Sequence, residues 1–366
     1  MSTAKERVRS AMQHQQPDRV PFSWGFGPTR EMQECLRTEL AKQNLDWDRL
    51  RMASDDVIQV GVPYTGPAPE GGKDIWGVER EEVEYGGGSY NEISVCPLAT
   101  ITSCDEMNAF PWPDPDAYDY DALPRLIDEK LEQAGEEKAV RITAGNPLEI
   151  YTWMTGMEMT MMNLVADPDL ARCGLDRVGD YWERRLKNIA DAAGDRIDLL
   201  FFADDLGSQT GPLFSVDTYD SVVRPVHERL FSSAREWMPD AFRLFHSDGS
   251  AYAMLPSLIE AGIDCLEAVQ VECANMEPDR LKNEFGDRLC FHGAISVQQL
   301  LPRVDAETVK SECRKLVEVL GKGGGYIAAP SHAVQMHTPV ENVLAMLEAV
   351  LGEDDYHKAL EAAKIG

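Results

Sequence analysis

Eight short runs of apolar, β-branched and aromatic residues recur along the chain, each bounded by turn residues or followed by a helical pattern. They are Val20–Trp24, Val57–Gly61, Val140–Ala144, Leu199–Ala203, Phe242–His246, Cys265–Val269, Leu289–Gly293 and Tyr326–Ala329. Continuous apolar runs of this kind are expected of parallel strands buried on both faces. From Val140 onward the alternation with helical periodicity is regular. Helices are expected around Leu148–Gly156, again after Asp169, then at Val216–Trp237, Ala251–Ala261, Pro278–Phe285, Ala306–Leu320 and Pro339–Leu351. Eight strand–helix units predict an α/β fold, a single (β/α)8 TIM-type barrel over residues 1–366 as one domain. An open doubly wound sheet competes, but no G-x-G-x-x-G follows the first strand.

One region breaks the rhythm. Pro63–Tyr120 is rich in Gly, Pro and aromatics, and Val83–Ser94 around Gly86-Gly87-Gly88 reads as a β-hairpin inserted after strand two. Such an insertion would sit as a lid at the C-terminal mouth of the barrel. The first residues, Met1 to Asp18, are polar and charged, with a short helix over Lys5–Met12 rather than a signal peptide.

Charge narrows the partners. The 366-residue chain carries a formal net charge of −28. Nucleic acid recognition needs a clustered basic surface, and an anionic membrane repels such a chain, so neither is expected as a partner. The eight cysteines (Cys35, Cys96, Cys104, Cys173, Cys265, Cys273, Cys290, Cys313) form no CxxC pair. They are expected to be reduced, in a cytoplasmic protein.

In such a barrel the reactive groups stand at the C-terminal strand ends. His246 and Asp248 are two apart at the end of strand five and so share the inward face, while Gly249 lets the chain turn away. With a third ligand from His332 after strand eight they suit zinc; the alternative is that Asp248 only fixes the imidazole tautomer. His332 could equally cap a helix or pack in the core, and His292 could pack inside strand seven. Glu149, after strand three, is a candidate general acid or ligand, or a carboxylate favoured at a helix start. Of Asp204 and Asp205 only one can enter the barrel; the other is expected to cap the next turn. Trp24, Tyr151, Gln209 and Gln270, at or near strand ends, are the expected substrate contacts. Gly323-Gly324-Gly325 precedes a strand and reads as a tight turn rather than a phosphate cradle.

Taken together, these segments resemble the uroporphyrinogen decarboxylase superfamily. The resemblance runs from Lys5-Glu6-Arg7-Val8 and Pro17-Asp18-Arg19-Val20-Pro21 through Ala203-Asp204-Asp205-Leu206-Gly207-Ser208-Gln209. It continues with His246-Ser247-Asp248-Gly249, Leu258–Asp264, Gly323-Gly324-Gly325-Tyr326-Ile327 and Pro330-Ser331-His332. One branch of that superfamily decarboxylates a porphyrinogen without cofactor. The other contains zinc methyltransferases that exchange methyl groups with a corrinoid on a partner protein. The decarboxylase branch has an arginine-rich loop after its first strand, where this chain has Gly25–Arg30 with one arginine. It also has an aspartate ending its second strand, where this chain has Val62-Pro63-Tyr64. The methyltransferase branch has His-x-Cys and a later Cys; here His246-x-Asp248 and His332 stand at the matching places.

The resemblance therefore implies a zinc-dependent methyltransferase or demethylase. It would move a methyl group from a small methoxylated or methylated compound to a corrinoid protein, with zinc at His246, Asp248 and His332 and with Glu149 or Asp205 as catalytic groups. No Asp-x-His-x-x-Gly segment occurs, so the corrinoid is expected on a separate partner; a homodimer is expected by analogy alone. The alternatives are a cofactor-free decarboxylase and a non-catalytic metabolite-binding barrel.

Overall fold

The computed structural model describes residues 2–85 and 88–365. Its strands are β1 (Val57–Val60), β2 (Glu79–Tyr85), β3 (Gly88–Val95), β4 (Ala139–Gly145), β5 (Leu199–Ala203), β6 (Phe242–His246), β7 (Cys265–Val269), β8 (Cys290–Ile295) and β9 (Tyr326–Pro330). Seven of them form one sheet in the order β1-β4-β5-β6-β7-β8-β9, every neighbouring pair parallel. Helices are interleaved on the outside, giving the TIM-type barrel that the apolar runs predict.

The eighth stave is Val20–Trp24, reduced to a single parallel bridge between Phe22 and Ala328. Ala328 N donates to Pro21 O (2.8 Å) and Ser23 N to Ala328 O (2.9 Å), while on the other side Asp56 N donates to Phe22 O (2.8 Å). A full strand fails here for a local reason. Pro21 has no N–H, and the amides of Phe22 and Trp24 donate to the Asp56 and Asp55 side chains instead of a neighbouring strand.

The helix expected over Val216–Trp237 is also interrupted. It runs as Val216–Thr218, a π-helical turn at Tyr219–Val223, and Arg224–Trp237. Pro225 cannot donate back to Ser221 O, and that carbonyl accepts instead from Arg172 Nε at 3.1 Å. The hairpin after the second run is present as the antiparallel pair β2–β3. Gly86 and Gly87, two of its expected turn residues, lie outside the described residues.

One expectation is corrected. Cys104 and Cys173 form a disulfide between the helices Cys104–Ala109 and Pro168–Ala193. The sequence gives no hint of this pairing, because the two residues are 69 apart and meet only through helix packing. The other six cysteines are free, four of them buried. Among the described residues no helix is long and apolar enough to cross a membrane.

The barrel interior is layered. Its lower layer is apolar: Val57, Ala139, Leu199, Leu244, Cys265, Cys290 and Ile327 pack on Val8 and Met12 of the helix Ala4–Met12, which plugs the bottom. Two residues further along five of these strands, period-two alternation puts Arg141, Phe201, His246, Glu267 and His292 on the same inward face. The site is built on that second layer.

Candidate active site

His246 ends β6, beside Ala203 of β5 and Glu267 of β7. Continuing the alternation by two residues from Ala203 and from His246 gives Asp205 and Asp248. Both carboxylates lie against the imidazole: His246 Nε2 is 3.8 Å from Asp205 Oδ1 and 3.7 Å from Asp248 Oδ1. The β5 and β6 loops touch because two glycines face each other. A Cβ on Gly249 (φ 75°) would come within 2.6 Å of Gly207, and one on Gly207 within 2.6 Å of Asp248 O. The contact lets Asp248 N donate to Asp205 Oδ1 at 2.8 Å. Gln270 then fixes Asp248: its Nε2 donates to Asp248 Oδ1 (2.6 Å) while its Oε1 accepts from Gly249 N (2.9 Å).

Among the described residues, Asp205, His246 and Asp248 are the one group of three whose ligand atoms all lie within 4.8 Å of one another. His332 stands at the rim, 40% exposed, with its Nε2 3.7 Å from Asp248 Oδ2. Phe26 sits beside both rings, 4.9 Å from the His246 centroid and 5.0 Å from that of His332. Burial pushes the Asp248 carboxyl above its ordinary range, opposed by His246 and His332 and reinforced by Asp205 and Glu267. Two close carboxylates and imidazole nitrogens, crowded by aromatics, make a donor set that a divalent cation fits.

The other aspartate of the pair turns outward. Asp204 is fully buried and accepts from Leu148 N (3.0 Å), Glu149 N (2.6 Å) and His227 Nε2 (2.7 Å). It thus caps the helix Pro147–Thr155, which follows β4, rather than the next turn of its own loop. His227 is held in turn by Tyr219 Oη at 3.0 Å from Nδ1. Through this cap Asp204 places Glu149, whose Oε2 accepts from Asn146 Nδ2 at 2.7 Å. Burial raises the Glu149 carboxyl to about 7; the Asn146 amide opposes the rise, and Asp204, Asp205 and Asp248 add to it.

Below the carboxylates lies a polar layer that sequence reasoning missed in part. Arg141 Nη1 is 3.6 Å from Glu267 Oε2, and His292 Nδ1 is 3.8 Å from Glu267 Oε1, all three side chains buried. The Arg141 guanidinium lies 3.9 Å from the centroid of Phe201. Burial opposes charge on Glu267, yet Arg141 first and then His292, His246 and His332 outweigh it and hold the carboxyl below its usual range. The available signal was parity: Arg141 is two residues beyond Ala139, as His246 is beyond Leu244.

His292 gives a stability prediction. Burial lowers its pKa from 6.5 to about 4. The folded state binds this proton later than the unfolded chain, so stability is full above about 6.5 and is lost as pH falls towards 4, by about 3 kcal/mol in all. Urea unfolding at pH 7.5 and 4.5 should show a drop smaller by about that amount in His292→Gln. An equal drop in both proteins would refute it.

Two expected substrate contacts, Trp24 and Tyr151, lie elsewhere. Trp24 is a correction: with Val20 and Phe22 it packs outward in the helix-facing core, edge-on to Trp47, its Nε1 donating to Ser54 Oγ at 3.1 Å. Tyr151 is likewise buried among helices, its hydroxyl accepting from Asn163 Nδ2 at 3.0 Å. Gln209 is exposed and joins two loops, its carbonyl accepting from Ala274 N (3.0 Å). Gln270 is at the site as a support for Asp248.

No curated protein matches the chain in sequence. Among solved structures, a methyltransferase from Methanosarcina mazei has a TM-score of 0.66 at 16% identity, covering 95% of this chain and 98% of that one. Xylanase 10B from Thermotoga maritima has a TM-score of 0.41 at 14% identity, over 68% of this chain and 82% of its own. The family model described as uroporphyrinogen decarboxylase (URO-D) matches residues 90–352. That span is well over half the sequence and includes every strand from β4 to β9, so the chain belongs to the uroporphyrinogen decarboxylase (URO-D) family.

Proposed function

We propose that this chain is a metal-dependent methyltransferase, taking a methyl group from a small methoxylated or methylated compound and passing it to the cobalt of a corrinoid on a separate protein. The observation that carries the reading is the convergence of Asp205, His246 and Asp248 at the barrel mouth. The fold shared with a solved methyltransferase is consistent with it. Zinc suits this nitrogen and oxygen donor set, with His246 and Asp248 as ligands and the third place taken by Asp205 or by the rim residue His332. Bound there, zinc supplies a Lewis acid that stabilises the anion left on the substrate heteroatom.

The chain's own residues do the rest. Gln270 and the Gly207–Gly249 contact hold Asp248 and Asp205 in place. The methyl group departs without the electron pair of its bond, which stays on the heteroatom, and Glu149 returns the proton that this heteroatom needs. Dialysis against a chelator should abolish methyl transfer and added zinc restore it. Undiminished turnover in protein shown to be metal-free would overturn the reading, and decarboxylation by that protein would favour the cofactor-free alternative.

Glu149 gives this reaction a pH dependence. A carboxyl with a pKa of about 7 carries its proton below 7 and loses it above. kcat/KM should therefore fall about tenfold per pH unit above the Glu149 pKa, which zinc held by Asp248 would draw below 7, and Glu149→Gln should be slower and lack that limb. A limb unchanged in the variant would assign it to another group.

A further inference from the structure

A cavity of ≈ 510 Å3 opens between the hairpin and the helices Pro147–Thr155 and Met157–Ala166, and Glu149 and Asp205 are among the residues that line it. None of Trp24, Tyr151, Gln209 and Gln270 lines it. Its volume lies in the range of small-molecule sites. Its apolar lining is Ile93, Leu148, Trp153, Met157, Met161 and Leu213. Three of these keep large exposed surfaces, Met157 at 56%, Leu213 at 37% and Ile93 at 36%, which an apolar ligand would cover. Indole and thioether groups together favour contact with an aromatic ring.

Charge decides the rest of the ligand. Among the described residues no lysine, arginine or histidine lines the cavity, whereas Glu92, Glu149 and Asp205 do. In the metal-free cavity an anionic ligand would meet these carboxylates as like charge. A cation on Trp153 is also disfavoured, because the Arg80 guanidinium already lies 4.9 Å from that ring's centroid, paired to Asp74 at 2.6 Å.

We propose that this cavity is the substrate pocket and that it takes an uncharged aromatic compound bearing a methoxy group, the ring against Trp153, Met157 and Met161 and the methoxy oxygen beside Glu149 and Asp205. The identification of the ligand as a substrate rests on the methyltransferase reading; the binding itself does not.

The test is calorimetric titration with 2-methoxyphenol on metal-free and zinc-loaded protein, and with methoxyacetate and tetramethylammonium on the metal-free protein. The expected result is saturable binding of 2-methoxyphenol alone, weakened at least tenfold by Met157→Glu and by Thr152→Trp. Met157 is exposed, so its variant tests the pocket without disturbing the core, and circular dichroism checks the fold of both. No binding of 2-methoxyphenol, equal binding by either charged probe, or unchanged binding in both variants would overturn the proposal. If the probe binds as expected but zinc-dependent transfer is never observed, the pocket stands and the reaction falls. If transfer is observed with a KM unmoved by both variants, the pocket falls and the reaction stands.

Discussion

His246→Ala is expected to lose bound zinc and to lower methyl transfer by at least roughly a thousandfold. Lewis-acid stabilisation of the departing anion is worth several kcal/mol, and each 1.36 kcal/mol is about tenfold in rate. The imidazole cannot be replaced from nearby: His332 is at the rim, and His292 lies a layer deeper with Glu267. Removing His246 also leaves Asp205 and Asp248 joined by a backbone amide but without the ring that both face. The fold should survive, because the neighbouring interior is carried by Phe201, Leu244 and the plug helix. Metal content by atomic emission, turnover, and a thermal melt on the same sample separate the possibilities. A variant that keeps both zinc and rate would remove His246 from the centre of the mechanism. One that keeps zinc and loses rate would show that the ring acts on the substrate.

The His246–Asp248 pair was legible because a parallel strand buried on both faces leaves parity as the main freedom for a polar residue at its end. Two residues apart means one face, whatever surrounds them. Parity also said that one of Asp204 and Asp205 enters the barrel, but not which one, since the choice depends on where the strand stops alternating. The same ambiguity explains Trp24. Val20, Phe22 and Trp24 all face the helices, and only the small residue Ser23, the one polar member, marks the other face of the run. Phe26, just beyond that run, is the aromatic that reaches the site instead.

Other features depend on distances that no local pattern encodes. The first strand looks continuous in sequence, yet Asp55 and Asp56 capture its amides from the start of the next strand. Arg141 stands inside an apolar run, where its charge makes sense only once Glu267 is known to face it across the barrel. The Cys104–Cys173 pair needs two helices to pack before it exists. The order of the parallel strands sets the barrel, while the chemistry rests on which side chains this particular chain carries inward.

Arg141→Met is expected to cost about 3–5 kcal/mol of stability, the usual penalty for leaving one member of a buried ion pair behind. Glu267 and Arg141 are each almost fully buried, and the carboxyl's other close partner, His292, is kept neutral by burial at neutral pH. The single variant must therefore either bury an unpaired carboxylate or protonate it, and both cost free energy. The double variant Arg141→Met/Glu267→Gln removes both charges and should recover most of the loss, because a neutral pair of similar volume needs no Coulombic compensation. Denaturant midpoints of the wild type, both single variants and the double variant give the coupling between them. Additive losses would mean that the 3.6 Å contact contributes little and that Glu267 is held by the histidines. Strong coupling would instead show that the ion pair beneath the mouth is what allows Glu267 to stay ionised under His246. In that case Arg141→Met should also weaken zinc binding, although its side chain reaches none of Asp205, His246 and Asp248, because a protonated Glu267 takes negative charge away from below the site.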